Sequence, residues 1–154
     1  MKDCDHTSVG MLVYNEDKLL LIERARFPFG FAIPAGHVDH DKSYEEAAVR
    51  ELKEEVGLEV KSLTLVTEGK KTNPCRREGG TWHYWKIYKV EFEGGLERSA
   101  DETKQANWYD KSKIQELATK TAQYYAKEIS EEEWAKNPGL EPVMYDWFKE
   151  LNII

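Results

Sequence analysis

The sequence predicts one layered domain that mixes helices with strands, of the α/β or α+β class, and three observations carry that expectation. Segments with strand character alternate with helical ones along the chain instead of being segregated from them. The length of 154 residues suits a single domain. A hydrophobic fraction of 40%, with 5 Trp, 8 Tyr and 5 Phe, gives enough apolar surface for a core. No repeat, low-complexity tract or long linker divides the chain, so residues 1–154 read as one domain whose last part, about 118–154, is helical.

Ser8 to Tyr14 and Lys18 to Ile22 are apolar and β-compatible, and Asn15-Glu16-Asp17 between them supplies turn residues, which reads as a hairpin. Phe27 to Gly36 is too rich in Pro and Gly for a helix and too apolar for a solvated linker; it reads as a buried irregular segment ending in a tight turn. A helix is expected from Ser43 to Val56. Ser43 and Glu46 have capping-box spacing, apolar residues recur at helical intervals, and Gly57 supplies the stop. Val60 to Thr67 and Trp82 to Phe92 carry the β-branched and aromatic enrichment of strands, and Asn107-Trp108-Tyr109 adds a short one. Lys111 to Leu117, Ala118 to Lys127, Glu131 to Lys136 and Pro142 to Leu151 read as helices. In Trp82-His83-Tyr84-Trp85, strand alternation sends Trp82 and Tyr84 to one face and His83 and Trp85 to the other, so one pair belongs to the core and the other is available to stack a base.

The formal charge of −7 counts against a generic grip on nucleic acid. No apolar run is long enough to span a membrane and no signal-peptide pattern opens the chain, which reads as a cytoplasmic protein with no membrane partner. Cys4 and Cys75 have no C-x-x-C partner and read as plain thiols, suggesting neither a disulfide nor a zinc site. The histidines His6, His37, His40 and His83 lack the spacing of a zinc protease; nucleophile elbow, P-loop and Rossmann glycines are all missing.

Chemistry concentrates on the helix after Ser43. With Glu51 set at 0° on the helical wheel, Glu54 falls at about 300° and Glu55 at about 40°, so three carboxylates share one band. Leu52, Val56 and Val49 form the expected buried stripe beside it. Carboxylates three and four residues apart repel by roughly 0.2–0.5 kcal/mol a pair. Such a face is often only solvated surface, but a hard cation such as magnesium, which takes oxygen ligands and bridges acids to phosphate, would convert the repulsion into binding.

Read together, Gly36, Arg50-Glu51-Leu52, Glu54-Glu55 and Gly57-Leu58 resemble the signature of the Nudix hydrolase family: G, five residues, E, seven residues, then R-E-U-x-E-E-x-G-U with U aliphatic. Lys42 stands where the signature has its first Glu. The resemblance spans about Ser8 to Leu117 and implies an α/β/α sandwich around a central mixed sheet. It also implies hydrolysis of a pyrophosphate bond in a nucleoside diphosphate linked to another group, with Mg2+ as cofactor and Mn2+ as a substitute. The implied partner is a small nucleotide such as a (deoxy)nucleoside triphosphate, or a nucleotide sugar such as ADP-ribose; a homodimer is compatible with the family. Capped RNA and dinucleoside polyphosphates are alternative substrates, and a nucleotide-sensing module that has lost catalysis is the alternative class.

By the same resemblance, Glu51, Glu54, Glu55 and the backbone carbonyl of Ala35 hold the metal, with Glu102 as a further candidate ligand or base. Glu54 or Glu55 orients the attacking water, and Arg50 steadies the loop and the acids. Lys42 cannot accept the hydrogen bonds that the family's Glu takes from this Arg; Asp39 or Asp41 is placed to substitute, and Lys42 itself could reach a substrate phosphate. Arg24, Arg76 and Arg77 are candidate phosphate contacts, with Arg26 as a further cation, and Trp82 and Trp85 are candidate base-stacking residues.

Overall fold

The structure is a computed structural model that describes residues 2–154. Its elements run β1 (Thr7–Asn15), β2 (Lys18–Arg24), β3 (Phe31–Ala32), β4 (Ala35–Gly36), α1 (Tyr44–Val56), β5 (Glu59–Lys71), β6 (His83–Glu93), β7 (Thr103–Tyr109), α2 (Lys111–Tyr125), α3 (Glu131–Lys136) and α4 (Pro142–Glu150). The expected hairpin is β1–β2, with Asn15 opposite Lys18. The two helices read from Lys111 to Lys127 are one continuous α2, because nothing between Leu117 and Ala118 interrupts the backbone ladder.

A seven-stranded mixed sheet follows the order β3-β2-β1-β6-β5, with β4 joined to β1 and β7 to β2. Strand β1 runs parallel to β6, with Thr7 opposite Tyr84 and Val13 opposite Val90. Alternation along the strands sorts side chains into two cores. Val9, Met11, Val13, Leu20 and Ile22 pack with Ala47, Ala48, Leu52 and Val56 of α1. Leu12, Leu19, Leu21, Trp85 and Ile87 pack on the other face with Ile114 and Leu117 of α2 and Met144, Trp147 and Phe148 of α4. This is the helix-sheet-helix layering that the sequence implied.

Ser43 caps α1 by accepting the Glu46 amide at 3.0 Å. Gly57 ends it at φ 77°, with its N–H on the Lys53 carbonyl. The buried side of α1 is rotated from the expected one. Val49 is 42% exposed whereas Glu55 is 6% exposed; the small Ala47 and Ala48 let the helix lie close to the sheet along a line that takes in Glu55 and leaves Val49 outside. In β6 the core pair is His83 and Trp85, and Tyr84 turns outward.

Candidate active site

Arg50 is the hub of the loop leading into α1. Its guanidinium donates to Asp41 Oδ2 at 2.8 Å, Glu51 Oε1 at 2.9 Å, Glu54 Oε2 at 3.2 Å and the His37 carbonyl at 3.0 Å. The acid missing at Lys42 is therefore supplied by Asp41, one residue earlier. Lys42 is exposed and lies outside the cleft lining. Asp39, the other sequence candidate, is taken by Arg77 in a two-pronged pair at 2.6 and 2.9 Å. The Arg77 hydrogen bonds hold its carboxyl down at about 2.

Glu51, Glu55 and Glu102 converge, each placing a carboxylate oxygen within 4.8 Å of the others. Glu51 and Glu55 reach this point from successive turns of α1. Gly36 makes the approach of Glu51 possible, since a Cβ there would sit 2.2 Å from the Glu51 carboxyl carbon. Glu102 comes from the β6–β7 connection, which is fastened to the end of α1 by Ser99 N–H on the Glu55 carbonyl and Glu97 N–H on the Val56 carbonyl, both 2.8 Å. Its own carbonyl accepts the Ala25 amide at 3.1 Å. Glu54 stands apart from the triad, exposed and held by Arg50.

Burial pushes the Glu51 carboxyl up to about 7, opposed by Arg50 and reinforced by Glu102 and Glu54. Burial and the charges of Glu51 and Glu102 drive Glu55 well above the usual carboxylate range. Three converging carboxylates, two of them raised by burial, fit a hard divalent cation, which would favour the charged forms of Glu51 and Glu55. Ala35 lies at this point too: it lines the same cleft and its backbone hydrogen-bonds Glu55.

The acids form one wall of a cleft of about 250 Å³. Arg24, Arg26, Arg76 and Arg77 line the rest of it, with Trp85 in its floor. Arg24 Nε donates to the Pro28 carbonyl at 2.6 Å, and its charge acts on both Glu55 and the buried Glu141. Trp82 does not line this cleft; it stacks on His6 with ring centroids 4.0 Å apart. A second cavity of about 360 Å³ shares Pro28, Asn73, Pro74 and Glu141 with the first and is walled by Phe27, Phe29, Tyr124, Tyr125 and Trp134. Sequence reasoning missed this aromatic cavity because its rings come from segments about a hundred positions apart. His37, Cys75 and His83 on the cleft wall were missed as well.

A mixed sheet between helices, with an acid triad and several arginines lining one cleft, is the architecture that the comparisons with known proteins place in a family. The chain matches the NUDIX domain across residues 5–131, and it belongs to that family. It is 35% identical over 114 residues to an ADP-ribose pyrophosphatase of Methanocaldococcus jannaschii, a match covering 72% of this chain and 65% of that protein. It is 30% identical over 109 residues to the 8-oxo-dGDP phosphatase NUDT18 of Danio rerio, covering 67% of this chain and 31% of that protein. The chain thus spans less than two thirds of the length of either relative. Among solved structures, a MutT NUDIX hydrolase from Burkholderia pseudomallei superposes with a TM-score of 0.61 at 23% identity, covering 70% of this chain and 84% of that one. No helix among the described residues is long and apolar enough to cross a membrane.

Proposed function

We propose that this chain hydrolyses the pyrophosphate bond of a small nucleoside diphosphate derivative, with nucleotide sugars of the ADP-ribose kind as the first class to test and nucleoside triphosphates as the second. The observation that carries this reading is the cleft itself, of about 250 Å³, whose lining combines Glu51, Glu55 and Glu102 with Arg24, Arg26 and Arg76. The adjoining aromatic cavity offers flat apolar walls to a base, and the relative from Methanocaldococcus jannaschii supports ADP-ribose as the lead.

Glu51, Glu55 and Glu102, with the Ala35 backbone, would hold Mg2+ or Mn2+. Such a cation, when bound, offsets the charge of a pyrophosphate and of the transition state that follows. Arg24, Arg26 and Arg76, which line the same cleft, bind and orient the phosphates. Arg50 acts on the acids, fixing Glu51 and Glu54 against the loop through its four hydrogen bonds. Glu54, open to solvent on the rim and held by Arg50, is available to take a proton from an attacking water. The Asp41–Arg50 contact favours catalysis over a sensing module, because it restores the loop support that Lys42 removes.

The test is a product screen of purified protein with Mg2+ across ADP-ribose, other nucleotide sugars, nucleoside triphosphates, dinucleoside polyphosphates and capped RNA. ADP-ribose should yield AMP and ribose 5-phosphate, and excess chelator should stop the reaction. Nucleotide binding without cleavage of any of these compounds would establish the sensing module instead.

A further inference from the structure

Across the cleft wall from the acid triad lies a cluster with different chemistry. Cys4, His37, Cys75 and His83 each place one ligand atom within 4.8 Å of the other three. They come from the lead into β1, the loop after β4, the β5–β6 connection and the first residue of β6. Both cysteines are free thiols.

We propose that these four side chains form a tetrahedral Cys2His2 site for a structural zinc ion. In such a site, zinc lies about 2.3 Å from sulfur and about 2.0–2.1 Å from nitrogen, which separates adjacent S and N ligands by roughly 3.6 Å. Cys4 Sγ is 3.6 Å from His37 Nε2 and 3.4 Å from His83 Nε2. The two imidazoles are inclined at 62° with centroids 5.4 Å apart, so they converge on the sulfur from different directions.

Each thiol sulfur also accepts a backbone amide. The His6 amide donates to Cys4 Sγ at 3.3 Å and the Arg77 amide to Cys75 Sγ at 3.4 Å, in both cases from two residues further along. Cys75 N–H bonds the Gly80 carbonyl at 2.8 Å, closing a tight turn. Gly80 is required there because a Cβ would come within 2.1 Å of Cys75 Sγ. The Cys4 amide bonds the Glu78 carbonyl at 2.9 Å, joining the two cysteine segments. Two thiolates and Zn2+ are together neutral, so this set can sit in a largely buried place without an unpaired charge. The ion would tie the β5–β6 connection, with Arg76 and Arg77, to the loop whose His37 carbonyl accepts from Arg50.

The test reads metal content and thiolate ligation on the full chain. Protein produced with zinc and desalted should retain about one equivalent. The cobalt-substituted form should show a sulfur-to-metal charge-transfer band, which carboxylates cannot produce. Cys75→Ser should weaken and shift that band and the Cys4→Ser/Cys75→Ser double variant should lose it, whereas Glu55→Gln should keep it unchanged, separating this site from the acid triad. Because a cysteine variant can misfold, alkylation of wild-type thiols gives a second measure: both thiols should be protected by zinc and released by chelator. The proposal is overturned if reduced protein binds no zinc, if the band is unchanged in Cys75→Ser or persists with both cysteines replaced, if both thiols alkylate equally with and without zinc, or if they are isolated as a Cys4–Cys75 disulfide whose reduction restores no metal binding.

Discussion

Asp41 Oδ2 accepts the Arg50 Nε hydrogen at 2.8 Å from a position one residue before the site where the family signature places its acid. A shift of one residue in the loop has preserved the contact and freed Lys42 to face solvent.

Removing the Asp41 carboxylate should therefore do what loss of the family's Glu does elsewhere. Asp41→Ala is expected to lower kcat by roughly 10–100-fold, the usual effect of losing support for metal-binding acids. Lys42→Glu alone should change kcat by less than about twofold, as for most exposed charges. Adding Lys42→Glu to Asp41→Ala should recover part of the loss. Steady-state kinetics on the three variants decides it, and a large loss in Lys42→Glu alone would give Lys42 a direct role at the substrate.

The two neighbouring acids of α1 should separate cleanly. Glu55→Gln, inside the triad, is expected to raise the Mg2+ requirement as well as reduce turnover by at least about a hundredfold, while Glu54→Gln, on the rim, should reduce turnover by about a hundredfold and leave the Mg2+ requirement unchanged. Far-ultraviolet circular dichroism should show both variants folded. Equal, small effects would mean that the acid face is ordinary surface.

Gly36→Ala tests the approach of Glu51, whose carboxyl occupies the space of the new methyl group. The expected result is a rise of at least about tenfold in the Mg2+ concentration for half-maximal activity, with the fold retained. An unchanged magnesium titration would show that Glu51 can move aside without consequence.

The raised Glu51 carboxyl sets the sign of a pH effect. Between about 4.5, its ordinary value, and about 7, the folded metal-free protein keeps a proton that the unfolded chain has released. The contribution of Glu51 to stability is thus favourable at the acid side of that window and declines as pH rises through it; Glu55 acts in the same direction. Magnesium competes with those protons, so it should raise the melting temperature more at about pH 8 than at about pH 5.5. Thermal melts with and without magnesium at both values measure the difference, and a larger shift at the lower pH would contradict it.

The hairpin, the capped helix and the signature acids were legible in the sequence because each rests on local rules: turn residues, a cap three residues from its partner, and carboxylates one turn apart. Val49 and Glu55 were harder to place. Helical periodicity defines a stripe, but its edge depends on how closely Ala47 and Ala48 let the helix sit on the sheet. The Asp41–Arg50 pair was left open between two aspartates until backbone geometry gave Asp39 to Arg77. The meeting of Cys4, His37, Cys75 and His83 was not legible in the sequence, since parallel pairing of β1 with β6 brings together residues up to 79 positions apart. No local spacing encodes that meeting.

The anchoring of the β6–β7 connection constrains where this chain can change length. Ser99 and Glu97 hang from the last turn of α1 and Glu102 is fastened to Ala25, so residues from Glu97 to Glu102 are a fixed span between two supports. An inserted residue there would carry Glu102 away from Glu51 and Glu55. Gly94 and Gly95, by contrast, form a turn in which an added Cβ meets almost nothing. Extra loop length can enter at that turn and leave the three acids together, which makes it a hinge point for grafting new surface onto the domain.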